Sequence, residues 1–347
     1  MKIGIDGRLL DLQHNTGISR YTEFLIIYYI NRYGVENVYV LTNDSSLRYN
    51  NCKMIYTTLK PFNIFHFTKY AKFVSLLDVE ILHIPFYSGL SCKIKKPKVI
   101  VTVHDLMYKL VENFFGNNKC INCLKRFYFD FILRCTLHTA DVIVAVSKTT
   151  QQDLYNLFHS VSIYIPEFSE ICTDSSDLVL EKLELKKKNF FFYCGNNRPH
   201  KNLQFVIDIF NSLPELPQLV LAGVGHEDSL NVKTVGVVSE STLRTLYQAS
   251  IAFIFPSKYE GFGLPVLEAL NSKTLVVASK ISAFLEFESE NIIFFELGNR
   301  EQFIMALYEA TQKTFVEETD FFKKYSVDNI YKQLDEMLSH NRLQNNM

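Results

Sequence analysis

The run Phe255-Pro256-Ser257-Lys258-Tyr259-Glu260-Gly261-Phe262-Gly263-Leu264-Pro265-Val266-Leu267-Glu268 holds residue types suited to chemistry on a charged, hydroxylated ligand. An apolar strand ends at Phe255, a glycine-containing loop follows, and Pro265 fits the first turn of a helix, where its missing N–H costs nothing. Gly261 and Gly263 let the backbone approach a ligand closely. The helix start then offers unpaired N–H groups and a partial positive charge, which suit a phosphate. Glu260 and Glu268 flank this position. Two carboxylates repel a diphosphate, so their sensible partners are hydroxyl groups, from which they accept strongly. Phosphates beside several hydroxyls describe a nucleotide sugar. An ordinary strand–loop–helix turn with acidic neighbours explains the same residues, and the physics of the segment leaves both readings open.

A second run, Cys194-Gly195-Asn196-Asn197-Arg198-Pro199-His200-Lys201-Asn202-Leu203, also follows a strand and opens a helix. Expelling a nucleoside diphosphate needs positive charge near the breaking bond. The chain has no Asp-x-Asp triplet to chelate a diphosphate-bound metal, so Lys201 and Arg198 are the natural counter-charges, working without a metal. The other reading of Lys201 is a solvated first helical turn. In the first half, Asp6-Gly7-Arg8 ends a strand and Thr16-Gly17-Ile18-Ser19-Arg20-Tyr21 opens a helix. Arg8 and Arg20 could touch phosphate or a second substrate, or pair at the surface. His104 stands just beyond Val101-Thr102-Val103, with Asp105 placed to orient its imidazole; a strand-end histidine is otherwise a hydrogen-bonded structural residue. Ser147 reads as a helix cap, since no base is paired with it. His83-Ile84-Pro85-Phe86-Tyr87 closes another strand and could line a pocket.

The elements that must position these residues alternate. Short β-branched and aromatic runs alternate with helical periodicity, which predicts parallel sheets made of βαβ units. Strands are expected at 2–6, 37–41, 53–57, 81–84, 99–103, 142–146 and 162–165, with helices between them, notably at 17–32, 120–138 and 149–158. A polar stretch from Glu167 to Lys188 marks a domain boundary. A second series follows, with strands at 190–194, 218–222, 251–255, 274–278 and 292–295, and a helical tail from Val316 to His340. Two doubly wound domains are the simplest arrangement, and ligands in such sheets bind beyond the carboxyl ends of the strands.

A chain of 347 residues, 48% hydrophobic and 21% charged, has material for about two cores. Its net charge of −1 supplies no global basic field for nucleic acid. Seven irregularly spaced cysteines suit a reducing compartment better than a disulfide framework. The opening Met-Lys-Ile-Gly-Ile-Asp lacks the apolar core of a secretion signal, and Phe24–Ile30 is too short to span a bilayer, so a cytoplasmic protein is expected. Cys120, Cys123, Cys135 and His138 have zinc-like spacings but share one aromatic, helical stretch, so no metal is expected. Lys125, Arg126 and Arg134 among the aromatics of 119–134 could form a surface that touches anionic lipid, or an ordinary half-buried helix. Gly223-x-Gly225 is only a fragment of a dinucleotide fingerprint.

The Glu260–Glu268 segment resembles the E-x7-E motif of retaining GT-B glycosyltransferases, specifically glycosyltransferase family 4. The resemblance extends through Gly236-Val237-Val238-Ser239, Leu243, Leu246-Tyr247 and Ala249 into Phe255-Pro256-Ser257, and over nearly the whole chain. It implies two Rossmann-like α/β domains facing across a cleft: 1–170 on the acceptor side, 171–315 binding the nucleotide sugar, and a C-terminal helix in 316–347 crossing back to the first domain. By the resemblance Glu268 binds the donor ribose, Glu260 and His104 the transferred sugar, and the amides of Gly261, Phe262, Gly263 and Leu264 meet sugar and phosphate. Gly17 faces the donor across the cleft, and Val238 lies on the approach to the motif. Lys201 matches the lysine of the family pattern Gly-Arg-x-x-x-x-Lys, but Asn196 occupies its arginine position; Arg198 or His200 could reach the same phosphates. No cofactor is implied beyond the nucleotide-sugar co-substrate. Ile-Asp-Gly-Arg-Leu-Leu and Thr-Gly-Ile-Ser-Arg-Tyr resemble bacterial mannosyltransferase-like members that build surface polysaccharides, so GDP-mannose is the donor considered first, with a glycan or lipid-linked acceptor and peripheral membrane contact. A nucleotide-sugar 2-epimerase and a catalytically silent sugar-binding protein share this architecture and are the alternatives.

Overall fold

A computed structural model of the chain describes residues 1–11, 16–169 and 176–343. These form two compact units: Met1–Glu167 together with the chain from Tyr331 onward, and Phe168–Ile330. The polar stretch read as a boundary, 167–188, falls partly outside the described residues.

The first unit carries seven strands: β1 (Ile3–Asp6), β2 (Val38–Thr42), β3 (Lys53–Tyr56), β4 (Ile81–Ile84), β5 (Lys98–Val103), β6 (Val142–Ala145) and β7 (Ile163–Tyr164). All their pairings are parallel, in the order β3-β2-β1-β4-β5-β6-β7. The second unit carries β8 (Phe190–Cys194), β9 (Gln218–Ala222), β10 (Val232–Gly236), β11 (Ala252–Phe255), β12 (Leu275–Ser279) and β13 (Ile292–Phe295), also all parallel, in the order β10-β9-β8-β11-β12-β13. Both orders step outward one way from the first strand and then reverse, which is the doubly wound Rossmann arrangement. The reversal falls between β1 and β4 in one unit and between β8 and β11 in the other. A crevice opens at such a reversal, at the carboxyl ends of those two strands.

Burial explains why the central strands are so apolar. Phe190, Phe191, Phe192 and Tyr193 of β8 and the whole of β11 are buried, as a parallel strand covered by helices on both faces requires. Strand β10 was absent from the sequence expectation. It is an edge strand of sequence Val-Lys-Thr-Val-Gly, with only Val232 fully buried, so it lacks the apolar run that marked its neighbours. The helix Ile64–Ser75 falls between β3 and β4, where a helix was expected without bounds. The tail forms two helices, Thr319–Lys324 and Val327–Leu343, rather than one. In the first unit, Tyr331 packs on the rings of Phe24 and Tyr28 with centroids 5.5 and 4.9 Å away, and Asp335 accepts from the Tyr28 hydroxyl and Arg32 Nε at 2.9 Å each. Among the described residues no helix is long and apolar enough to cross a membrane.

Candidate functional site

In the second unit, the two sequence runs singled out above leave the two strands that flank the reversal. The loop after β8 and the loop after β11 are tied directly, Lys258 N donating to His200 O at 2.8 Å. Lys201 ends a short 3-10 turn, Pro199–Lys201, immediately before the helix Leu203–Ser212. A cation at a helix start opposes the helix dipole, so this position needs a compensating anion. Glu260 supplies it: Lys201 Nζ donates to Glu260 Oε1 at 2.6 Å, and both side chains are largely withdrawn from solvent. The same ammonium stands 4.8 Å from the centre of the Phe255 ring. The lysine is therefore a held charge in a partly dry setting, not a solvated helical turn.

The turn from β11 into the helix Leu264–Asn271 is buried through Glu260, Gly261, Phe262 and Gly263. Gly263 caps that helix with φ +111°, and a Cβ there would meet Phe284 Cε1 at 2.8 Å. Conformation and space both demand glycine at this point. The first helical hydrogen bonds are donated by Val266 and Leu267 to Gly263 O, so the preceding amides lie outside the helical ladder. Leu264 and Pro265, at the tip, are half-buried. Deeper in the same helix lies Glu268, whose Oε2 accepts from the Tyr247 hydroxyl at 3.1 Å; the Tyr247 oxygen also lies 3.0 Å from Cys194 Sγ, at the end of β8.

The remaining residues of this region are placed differently from one another. Arg198 is exposed, its backbone N donating to Asn196 Oδ1 at 3.3 Å. His200 is buried, and burial, reinforced by Lys201, pushes its pKa down to about 4. At that value its imidazole is uncharged at pH 7. Val238 is half-buried just after β10. Gly223 follows β9 with φ +128°, and a Cβ there would collide with the Gly195 carbonyl at 2.0 Å. Its role is thus to let two strand-end loops touch. His226 Nε2 lies 2.8 Å from the same carbonyl oxygen.

In the first unit His104 lies just after β5, mostly buried. Its Nδ1 is 2.6 Å from Glu167 Oε1, its Nε2 is 3.0 Å from Pro85 O, and Tyr21 packs edge-on at 4.8 Å. Asp105, expected to orient the ring, instead accepts from Met107 N at 2.8 Å; Glu167, about sixty residues on in sequence, takes that task. Burial alone would lower the imidazole pKa, but the Glu167 carboxylate outweighs it and raises the value above the ordinary 6.5. Acceptors at both nitrogens favour the protonated ring. His83 is wholly buried within β4, between the Tyr29 hydroxyl at 3.0 Å and Thr102 Oγ1 at 2.9 Å. Burial pushes its pKa down to about 3. It is a core residue. Arg8, weighed as a ligand or surface contact, is buried in a two-pronged pair with Asp6 at 2.7 and 2.5 Å, the ring of Tyr70 beneath it. Gly17 opens the helix Gly17–Tyr33 in open space, where a Cβ would meet nothing. Arg20 is half-buried on the same helix, and Ser147 caps the helix Lys148–Phe158 through Thr150 N at 2.8 Å. Cys120 and Cys123 are exposed on the helix Lys119–Thr139, and no cluster of three metal-ligating side chains occurs among the described residues.

Known proteins bear on this geometry. A family model described as glycosyl transferases group 1 matches residues 177–325. The O-antigen chain mannosyltransferase B of Escherichia coli is 29% identical over 188 residues, 46% of this chain and 48% of that protein. The O-antigen chain mannosyltransferase RfbU of Salmonella typhimurium is 24% identical over 260 residues, 70% of this chain and 69% of its own. The matched stretch thus spans about half the length of the first relative and somewhat over two thirds of the second. Among solved structures, sucrose-phosphate synthase from Thermosynechococcus elongatus aligns over 99% of this chain and 100% of its own, with TM-score 0.73 and 14% identity. The Anabaena protein Alr3699/HepE, solved in complex with UDP-glucose, aligns over 98% and 100%, with TM-score 0.71 and 17% identity. Residues 177–325 thus resemble the glycosyl transferases group 1 family, in a chain whose two parallel-sheet units have the GT-B fold.

Proposed function

We propose that this chain is a retaining, metal-independent hexosyltransferase that moves a sugar, mannose from GDP-mannose in the first instance, to a glycan or lipid-linked acceptor in polysaccharide synthesis. The observation that carries the reading is the constellation beside the β8–β11 reversal. There the buried Lys201–Glu260 pair, the glycine-shaped helix start and the buried Glu268 occur together. In this account Glu268 accepts from the ribose hydroxyls, and the amides of Gly261 to Leu264 meet the sugar and phosphates. Lys201 offsets the charge that develops on the departing diphosphate, and Glu260 accepts from the transferred sugar. Val238, Arg198, Gly17 and His104 are further candidates for contact with the donor. The bond from the sugar's anomeric carbon to phosphate breaks, and a bond to the acceptor oxygen forms on the same face. The acceptor's proton leaves with the diphosphate.

The mannosyltransferases named above support the choice of sugar, and the UDP-glucose complex of the Anabaena protein supports the class of donor. Contact with a membrane surface is part of the proposal. The helix Lys119–Thr139 presents Ile121, Leu124, Phe127 and Phe131 to solvent at helical spacing, with Lys119, Lys125 and Arg134 also exposed.

Incubating the protein with GDP-, UDP- and ADP-sugars, with and without a mannose-terminated lipid-linked acceptor, tests this reading. The expected result is acceptor-dependent release of one nucleoside diphosphate, insensitive to EDTA, with an α-linked product from an α-linked donor. Release of no nucleotide from any donor would overturn it. Isomerised donor formed without acceptor would point to an epimerase instead.

A further inference from the structure

Tyr247 took no part in the expectations drawn from the carboxylates, yet its position bears on how Glu268 works. The residue comes from the helix Glu240–Ala249 and is buried, its ring held edge-on by Phe192 at 5.2 Å and Phe253 at 5.0 Å. Its carbonyl is fixed as well, accepting from Ser250 Oγ at 2.8 Å and Thr274 Oγ1 at 2.7 Å. The phenol oxygen therefore has little freedom to move. It lies 3.1 Å from Glu268 Oε2 and 3.0 Å from Cys194 Sγ.

The single phenol proton has one sensible destination. A carboxylate only accepts, so Tyr247 donates to Glu268, and the Cys194 thiol must then donate to Tyr247. Burial holds the phenol pKa well above its usual 10.0, which keeps that proton in place. The result is a directed chain, Cys194 to Tyr247 to Glu268, running from the tip of β8 to the nucleotide-side acid.

We infer that Tyr247 is a positioning residue for nucleotide recognition: its hydroxyl fixes one oxygen of Glu268 so that the remaining lone pairs of the carboxylate face the ribose hydroxyls of the donor. This rests on the proposed role of Glu268. A buried carboxylate on a helix has rotamers to choose from, and one charge-assisted hydrogen bond from a rigid donor selects among them. Tyr247 itself does not touch the nucleotide.

The test compares affinity for GDP, UDP and ADP with affinity for the 2′,3′-dideoxy form of each, by calorimetry on the full chain. Wild type should prefer the ribose form of the nucleotide it binds. Tyr247→Phe keeps the ring and its packing, and should weaken the ribose nucleotide by about tenfold, the worth of one hydrogen bond to a charged group. It should leave the dideoxy form unchanged, so that the preference collapses. Glu268→Gln should lose the same preference. Equal weakening of ribose and dideoxy forms in Tyr247→Phe would mean a merely structural tyrosine and would overturn the inference. So would an unchanged preference in Tyr247→Phe while Glu268→Gln loses it. An unchanged preference in Glu268→Gln, or no binding of any nucleotide to wild type, would instead remove the role of Glu268 on which the inference stands.

Discussion

The pair Lys201–Glu260 carries two roles that can be separated. As an ion pair largely out of water, it holds each loop to the other, and removing one partner leaves an uncompensated charge. As a pair of ligand-binding groups, it places a cation and a hydroxyl acceptor beside each other at a helix start. Lys201→Met should therefore lower stability by about 3 kcal/mol, read as a shift in the urea midpoint, and abolish sugar transfer. Adding Glu260→Gln removes the orphaned charge and should recover most of the stability but none of the activity. Recovery of both would show that the pair serves the fold alone. His104 was legible as a residue of interest because it sits just past an apolar strand, but its partner was not. Glu167 is distant in sequence, and nothing in the local spacing of Asp105 revealed that this nearer acid would accept from Met107 N instead. His83 and Arg8 misled for a related reason: polar residues at strand ends look alike in sequence whether they face a ligand or a buried hydrogen-bonding partner.

Elements were read most securely where burial dictates composition. The run Phe190–Cys194 and the strand Ala252–Phe255 are apolar throughout because helices cover both faces of a parallel sheet, so no alternation was needed to find them. Strand β10 escaped because an edge strand with Lys233, Thr234 and Gly236 satisfies half its surface with solvent. The helix Lys119–Thr139 was placed within a residue at each end, yet its solvent face could not be told from its core face until packing was known. Leu124 is 71% and Phe127 74% exposed, on a face that also carries basic residues. That face should bind anionic bilayers, apolar side chains entering the interface while lysines stay at the headgroups. The protein should float with vesicles of phosphatidylglycerol and phosphatidylcholine, and the double variant Leu124→Glu, Phe127→Glu should not, with its melting temperature retained. Flotation equal in both proteins would assign that face no part in membrane contact.

On the scale of the molecule, alternation of strands and helices was enough to predict two doubly wound sheets, and sheet order explains why the two informative runs leave neighbouring strands. The reversal between β8 and β11 brings together loops separated by about sixty residues, which no local motif could have shown. What remained out of reach was everything set by side-chain packing across elements, the Tyr247–Glu268 bond above all.

The central claim is that two acids in one domain divide the work, Glu268 gripping the nucleotide and Glu260 serving the sugar during transfer. Steady-state kinetics of Glu260→Ala and Glu268→Ala with the donor that wild type turns over test it most directly. The account predicts that Glu268→Ala raises the donor KM by roughly tenfold or more with kcat less affected, the loss of a charge-assisted contact made in ground and transition states alike. It predicts that Glu260→Ala lowers kcat by about a hundredfold with KM little changed, the signature of an interaction strongest in the transition state. Kinetics indistinguishable from wild type in both variants would contradict it.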